Sequence, residues 1–413
     1  MKRRVVITGM GVVTVLGYNV EEFYQNLLDG KNGISKIERW DTTEHSVKIA
    51  GEIKDFDPAD HFERNESKRL DRFTQYALVA AKSAIEDSKI DLDSIDNDRF
   101  GVITGSGIGG METYQDNHKK LLERGPRRVS PLFIPMMIPD IAAGRISMKW
   151  NLRGPNYTTV SACASSGHAI GNAYRTIQYG DADIMVTGGA EGSVTPLAVA
   201  GFCSMRALST RNDEPQRACR PFDKERDGFI MAEGSGVIIL EEMEHAVNRG
   251  AKIYAEIVGY GATCDAFHIT APAENGEGGA RAMQGAINDA GINPEEIDYI
   301  NAHGTSTPLN DPNETAAIKT IFGQYAKKVK ISSTKSMTGH TLGAAAGIEA
   351  IVCCKSISTG KLHPTINYEN PDPACDLDYI PNKAIEMEVN YALSNSLGFG
   401  GHNGVVIFKK FVK

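Results

Sequence analysis

The sequence predicts an α/β protein made of two packed copies of one unit. Segments of β type and of helical type alternate from the first residues, and the alternation begins again near residue 252. Three short stretches recur in the same order in both halves. Ala84-Ile-Glu-Asp-Ser-Lys-Ile-Asp matches Ala286-Ile-Asn-Asp-Ala-Gly-Ile-Asn, Ser166-Gly-His-Ala matches Thr338-Gly-His-Thr, and Gly236-Val-Ile-Ile-Leu matches Gly404-Val-Val-Ile-Phe. One such match is within reach of chance, whereas three in order point to a duplication. No low-complexity linker separates the halves, so they are expected to pack together, divided as 1–251 and 252–413.

Taken in order, Arg4 to Ile7 reads as a strand, Val20 to Leu28 and Thr74 to Asp87 as helices, and Phe100 to Thr104 as a strand. Tyr157 to Val160 is rich in β formers. It runs into Ala164, Ala169, Ile170, Ala173 and Ile177 at helical spacing, which puts a strand-to-helix turn near Cys163. In the second half three strands exit into loops: Ile297-Asp-Tyr-Ile toward His303, Ile331 toward Lys335 and His340, and Leu393 toward Phe399. Segments 107–150 and 193–233 have no counterpart in the other half, as insertions carrying specificity would not.

Composition narrows the function. With 23% charged and 41% hydrophobic residues, the 413-residue chain is expected to be soluble and globular. A net charge of −8 argues against general nucleic-acid binding, and no apolar run approaches the length of a membrane span. The seven cysteines show no CxxC spacing, which suggests neither a disulfide framework nor a zinc site and fits a reducing cytoplasm. The Met-Lys-Arg-Arg start has too short an apolar stretch for a signal peptide.

The candidate nucleophile is Cys163, in Val-Ser-Ala-Cys-Ala-Ser-Ser-Gly-His. A helix N-terminus brings partial positive charge and free N–H groups, which lower a thiol's pKa and hold a developing oxyanion. Taken alone, such a cysteine is better explained as a small buried apolar residue. The second half adds His303 in His-Gly-Thr-Ser-Thr and Lys335 with His340 in Thr-Lys-Ser-Met-Thr-Gly-His. Lysine is rarely buried unpaired, and Glu314 is the expected partner.

Together with Asn395-Ser-Leu-Gly-Phe-Gly-Gly-His-Asn, these motifs resemble the β-ketoacyl-acyl carrier protein synthases, and the likeness spans essentially the whole chain. Two histidines, rather than histidine and asparagine, resemble the chain-elongating branch. The resemblance implies a thiolase fold, a duplicated αβαβα five-layered core, a homodimer, no organic cofactor and no metal. It implies acyl transfer to Cys163 and then decarboxylative condensation with malonyl-acyl carrier protein. His303 and His340 would hold the enolate oxygen, and the amides of Cys163 and Phe399 would form the oxyanion hole of acylation. Lys335, paired to Glu314, would support the His303 loop. Phe399 would gate the site, Thr305 and Thr307 would meet the pantetheine arm, and Ile108 and Phe202 would line the acyl pocket.

The carrier protein is expected to be acidic, so this net-negative chain needs local positive surface. Lys68, Arg69 and Arg72 form one cluster, with Lys68 and Arg72 on one side if the segment is helical; Arg124, Arg127 and Arg128 form another. The chain departs from the family pattern at Val15, Ala232 and Cys203-Ser-Met205, the first two expected to lie away from the chemistry. The alternatives are a ketosynthase of a polyketide or specialised lipid pathway and a non-catalytic subunit of the chain-length-factor kind; the latter lacks the nucleophile that Cys163 supplies here.

Overall fold

The computed structural model describes residues 2–412. Its centre is a ten-stranded sheet of β1 (Val5–Val13), β2 (Phe100–Gly105), β3 (Asn156–Thr159), β4 (Ile184–Glu191), β5 (Gly234–Glu242), β6 (Ala255–Cys264), β7 (Tyr299–Asn301), β8 (Lys330–Ser332), β9 (Tyr391–Gly398) and β10 (His402–Lys409). The strand order is β8-β7-β9-β10-β6-β1-β5-β4-β2-β3. Read outward from the antiparallel β6–β1 pair, both sides run the same way: one antiparallel neighbour, a second, then two parallel ones. That is the duplication, seen as topology.

Helices α1 (Val20–Leu28), α2 (Arg72–Ser88), α3 (Met111–Arg124), α4 (Ser165–Tyr179), α5 (Glu277–Ala290), α6 (Asn310–Phe322) and α7 (Ala345–Thr359) surround and divide the sheet. α2 packs on β1 and β5, and α5 packs on β6 and β10. Between the two half-sheets lie α4 and α7, each touching strands of both. These layers are the expected five-layered core.

β1 runs six residues past the expected end at Ile7, through Thr8-Gly-Met-Gly, which is poor in β formers. The reason is packing: a Cβ at Gly9 would lie 2.1 Å from the Ala84 carbonyl oxygen and one at Gly11 2.0 Å from that of Ala80. Backbone meets backbone there. Gly259 and Gly261 of β6 stand in the same relation to Ala286 and Ala282 of α5.

One of the three repeat matches does not survive. α4 and α7 are the equivalent helices, each of fifteen residues and each closed by a left-handed glycine, Gly180 or Gly360, so Ser165 corresponds to Ala345. Ser166-Gly-His168 therefore lies inside α4, whereas Thr338 ends the short helix Lys335–Thr338 and Gly339-His340 lies between it and α7. The stretch Leu342–Thr359 is also long and apolar enough to cross a membrane by composition, contrary to expectation, and 89% of it is buried in the fold.

Candidate active site

Cys163 sits where β3 turns into α4. Ala162, just before it, adopts φ +51, a left-handed conformation that costs an L-residue roughly 1–2 kcal/mol. Ser165 Oγ holds the turn by donating to the Ala162 carbonyl and accepting the Ser161 amide, at 2.6 and 2.9 Å. The amides of Cys163 and Phe399 both point at the Cys163 sulfur. The thiol is nevertheless not acidified. Burial raises it to about 12, Lys335 opposes this, and Glu191 reinforces it. The expected depression by the helix N-terminus is outweighed because the sulfur faces an apolar cavity rather than water.

His340 Nε2 lies 3.0 Å from Cys163 Sγ. Its Nδ1 accepts the Leu342 amide at 3.3 Å, so the ring proton resides on Nε2 and is donated to the sulfur. The backbone of His340 is clamped to the segment before β5: its amide donates to the Ile230 carbonyl and its carbonyl accepts the Ala232 amide. Ala232 thus stands closer to the site than expected, with its Cβ beside Gly339, though outside the cavity. His303 stands perpendicular to His340, ring centroids 5.3 Å apart. Burial, then Lys335, hold both imidazoles well below the usual histidine pKa, with His340 adding to the effect on His303, so both are neutral near pH 7.

Lys335 does not pair with Glu314. Its ammonium is bound by Glu349 of α7, a residue the sequence reading missed although a glutamate in an apolar helix needs a partner. Glu314 is consumed elsewhere: its two oxygens accept the amides of His303 and Gly304, each at 2.8 Å, and the Asn395 side-chain amide at 3.0 Å. It holds the His303 loop by the backbone instead. Removing one partner of a buried ion pair leaves the other uncompensated. Glu349→Ala is therefore expected to lower the unfolding free energy by about 3–5 kcal/mol, measured by urea denaturation; a loss below about 1 kcal/mol would contradict the pairing.

Ile108, Phe202, Thr305, Thr307, Phe399 and the Cys163–His303–His340 trio all line one cavity of about 400 Å³. Phe202 packs edge-on against Phe229, which in turn packs against His340. Thr305 and Thr307 share a hydroxyl-to-hydroxyl hydrogen bond of 3.0 Å.

Residues 2–246 match the model of the β-ketoacyl synthase N-terminal domain and residues 254–369 that of the C-terminal domain. The chain belongs to the β-ketoacyl synthase family. It is 56% identical over 409 residues to the 3-oxoacyl-[acyl-carrier-protein] synthase 2 of Staphylococcus aureus (strain COL), covering 99% of both chains. Among solved structures, a β-ketoacyl synthase from Burkholderia phymatum superposes with TM-score 0.93 at 39% identity over the whole of both chains. A type II polyketide ketosynthase in complex with its acyl-carrier protein superposes with TM-score 0.91 at 38% identity, again over the full length of both.

Two sets of donor atoms in this β-ketoacyl synthase differ in how they suit a cation. Cys163, His303 and His340 offer ligand atoms within 4.8 Å of one another. However, the protonated Nε2 of His340 has no lone pair for a metal. Behind them Asn301 Oδ1, Glu349 Oε2, Ser394 Oγ and Asn395 Oδ1 are buried without hydrogen-bond partners, and Asn301 and Ser394 are neighbours in register. Hard oxygens of this kind suit a small cation better than the thiol and imidazoles of the first group.

The basic clusters lie outside the synthase's cavity. Lys68 and Arg69 are exposed, but Lys68 ends the short helix Arg64–Ser67 while Arg72 begins α2, so the expected single helical face does not form. Arg72 is half-buried and pairs with Glu112 at 3.3 Å. Arg124 ends α3, and Arg127 and Arg128 follow in a 3-10 turn; all three are exposed.

Proposed function

We propose that the chain is an elongating 3-oxoacyl-acyl carrier protein synthase of fatty acid biosynthesis, with its two halves, 1–251 and 252–413, supplying the nucleophile and the histidines. The observation that carries this reading is the cavity in which Cys163 from the first half meets two neutral histidines from the second. In the first stage the sulfur of Cys163 attacks the acyl thioester, the new C–S bond replaces the old one, and the carrier's thiol leaves with the proton. The amides of Cys163 and Phe399 hold the tetrahedral oxyanion. In the second stage the malonyl carboxylate leaves as carbon dioxide, and its bonding electrons pass to an enolate. Neutral Nε2–H donors on His303 and His340 stabilise the enolate oxygen. Its carbon then attacks the acyl group, and cleavage of the C–S bond frees Cys163 as a thiolate, which takes a proton from solvent to restore the thiol. Lys335 and Glu349 hold the loop before His340, Glu314 holds that of His303, and Thr305 and Thr307 offer hydroxyls to the pantetheine amides. Ile108 and Phe202 wall the acyl chain, and Phe399 gates it. No cofactor beyond the carrier's own arm takes part.

The partners proposed are an acidic acyl carrier protein and a second copy of the chain. β3 is an edge strand, with its Tyr157 43% exposed and Val160, just past its end, 58% exposed, and apolar groups at an edge call for cover. All seven cysteines are free, as a reducing cytoplasm would keep them. Intact-mass analysis after mixing with medium- and long-chain acyl carrier proteins tests the function: an acyl increment should appear, and no increment with any chain length sinks it.

Steering by Lys68, Arg69, Arg124, Arg127 and Arg128 is screened within about 10 Å at 0.1 M salt. Reversing these charges is expected to raise the KM for carrier-bound substrate about tenfold at low salt while leaving short free pantetheine thioesters unaffected. Unchanged carrier kinetics would move the docking surface elsewhere.

A further inference from the structure

Glu191 ends β4, fully buried, and takes no part in the steps above. Its carboxylate gathers five donors. Oε2 accepts the amides of Gly107 at 2.8 Å and Gly343 at 3.1 Å; Oε1 accepts the Ile108 amide and the hydroxyls of Ser106 and Ser193, each at 3.2 Å. Burial raises the pKa of this carboxyl above the ordinary value, and the amide and hydroxyl donors around it work against that rise by favouring the charged form.

These donors come from two turns that do different work. Ser106 to Ile108 is one turn, and its Gly107 and Ile108 line the cavity. Leu342 and Gly343 belong to the turn after His340, where the Leu342 amide fixes the histidine's tautomer and the next amide reaches Glu191. Leu342 is held at φ +48, and a non-glycine residue stays in that conformation only where its surroundings over-determine it. The two turns touch: a Cβ on Gly343 would lie 2.1 Å from the Gly107 amide nitrogen. Without the carboxylate, facing N–H dipoles would be buried with nothing between them.

We propose that Glu191 is a positioning residue that clamps the acyl-pocket turn at Gly107–Ile108 to the Leu342–Gly343 turn that aims His340, so that acyl-chain fit and the aim of His340 are set by one buried carboxylate. This rests on the reading of the cavity given above, in which Ile108 meets the acyl chain and His340 the enolate.

Glu191→Gln keeps the shape and removes the charge, and its NH₂ must face an amide N–H in either orientation. Three readouts follow. Condensation kcat falls about 10- to 100-fold, the scale of a displaced reacting group, while acylation of Cys163 persists. The dependence of the acylation rate on chain length flattens, because Ile108 is no longer fixed. Alkylation of Cys163 by iodoacetamide moves to lower pH, since of the charged and titratable groups facing the sulfur (Lys335, His303, His340 and Glu191) only the one negative charge has gone. General loosening of the fold would not produce that acid shift alongside retained acylation. Ser106→Ala, which removes one donor and keeps the charge, should lower kcat and flatten the chain-length dependence in milder form without the acid shift, and serves if the glutamine variant does not fold. Alkylation needs no carrier protein, so it reads Glu191 even if the chain proves not to condense acyl groups. An unshifted alkylation profile in folded Glu191→Gln, or a wild-type chain-length profile and kcat in either folded variant, overturns the proposal.

Discussion

A Cys163→Ala chain mixed with medium-chain acyl carrier protein is expected to show no acyl increment by intact mass and a loss of condensation on the order of 10⁴-fold or more, the scale seen when a covalent nucleophile is removed. The expectation is this large because no second group can take the role. Cys163 is the cysteine that lines the cavity. Cys219, Cys353 and Cys354 are fully buried, with thiols raised by desolvation, and Cys219 donates its S–H to the Lys335 carbonyl. Cys203, on the helix that carries Phe202, is the nearest competitor, and labelling there in the alanine variant would remove Cys163 from the mechanism. The raised thiol adds a kinetic corollary. Alkylation of the resting enzyme should keep rising with pH beyond 9, without the plateau near neutrality that an acidified nucleophile gives.

His303→Ala and His340→Ala are each expected to leave acylation of Cys163 in place and to slow malonyl decarboxylation by about 10² to 10³, the effect of removing one donor from a buried oxyanion. Their losses should not add in the double variant, since both donors converge on one atom. The pH dependence has a definite sign. Both imidazoles have pKa values depressed by burial and Lys335, so they stay neutral as the pH falls through 6.5, where an ordinary histidine would gain a proton. Decarboxylation by the acylated enzyme should therefore be flat from about pH 6 to 8. A step centred near 6.5, or near-normal carbon dioxide release from both single variants, would refute the paired neutral donors.

How much of this was legible in the sequence varied with the range of the interaction. Periodicity read α1 to the residue, because a helix of nine residues between Asn19, whose side chain caps it, and Asp29 is decided by local spacing and capping. It stopped β1 short, because Gly9 and Gly11 look like breakers until α2 is laid on them. The turn at Cys163, the exits toward His303 and His340 and the motifs of the family are contiguous runs, so the sequence by itself determined the fold, the reaction class and the residues that meet in the cavity. What only the tertiary structure decided is which charges stand next to which. Glu314 and Glu349 are both acidic residues on helices of the second half, and nothing in their spacing from Lys335 distinguishes them. The layering of α7 between the half-sheets brings Glu349 to the ammonium and leaves Glu314 to two backbone amides. The same holds for the thiol. A helix N-terminus can be read from sequence, but the depth at which the sulfur is buried cannot, and a pKa depends steeply on that depth because the cost of a charge grows as water is withdrawn.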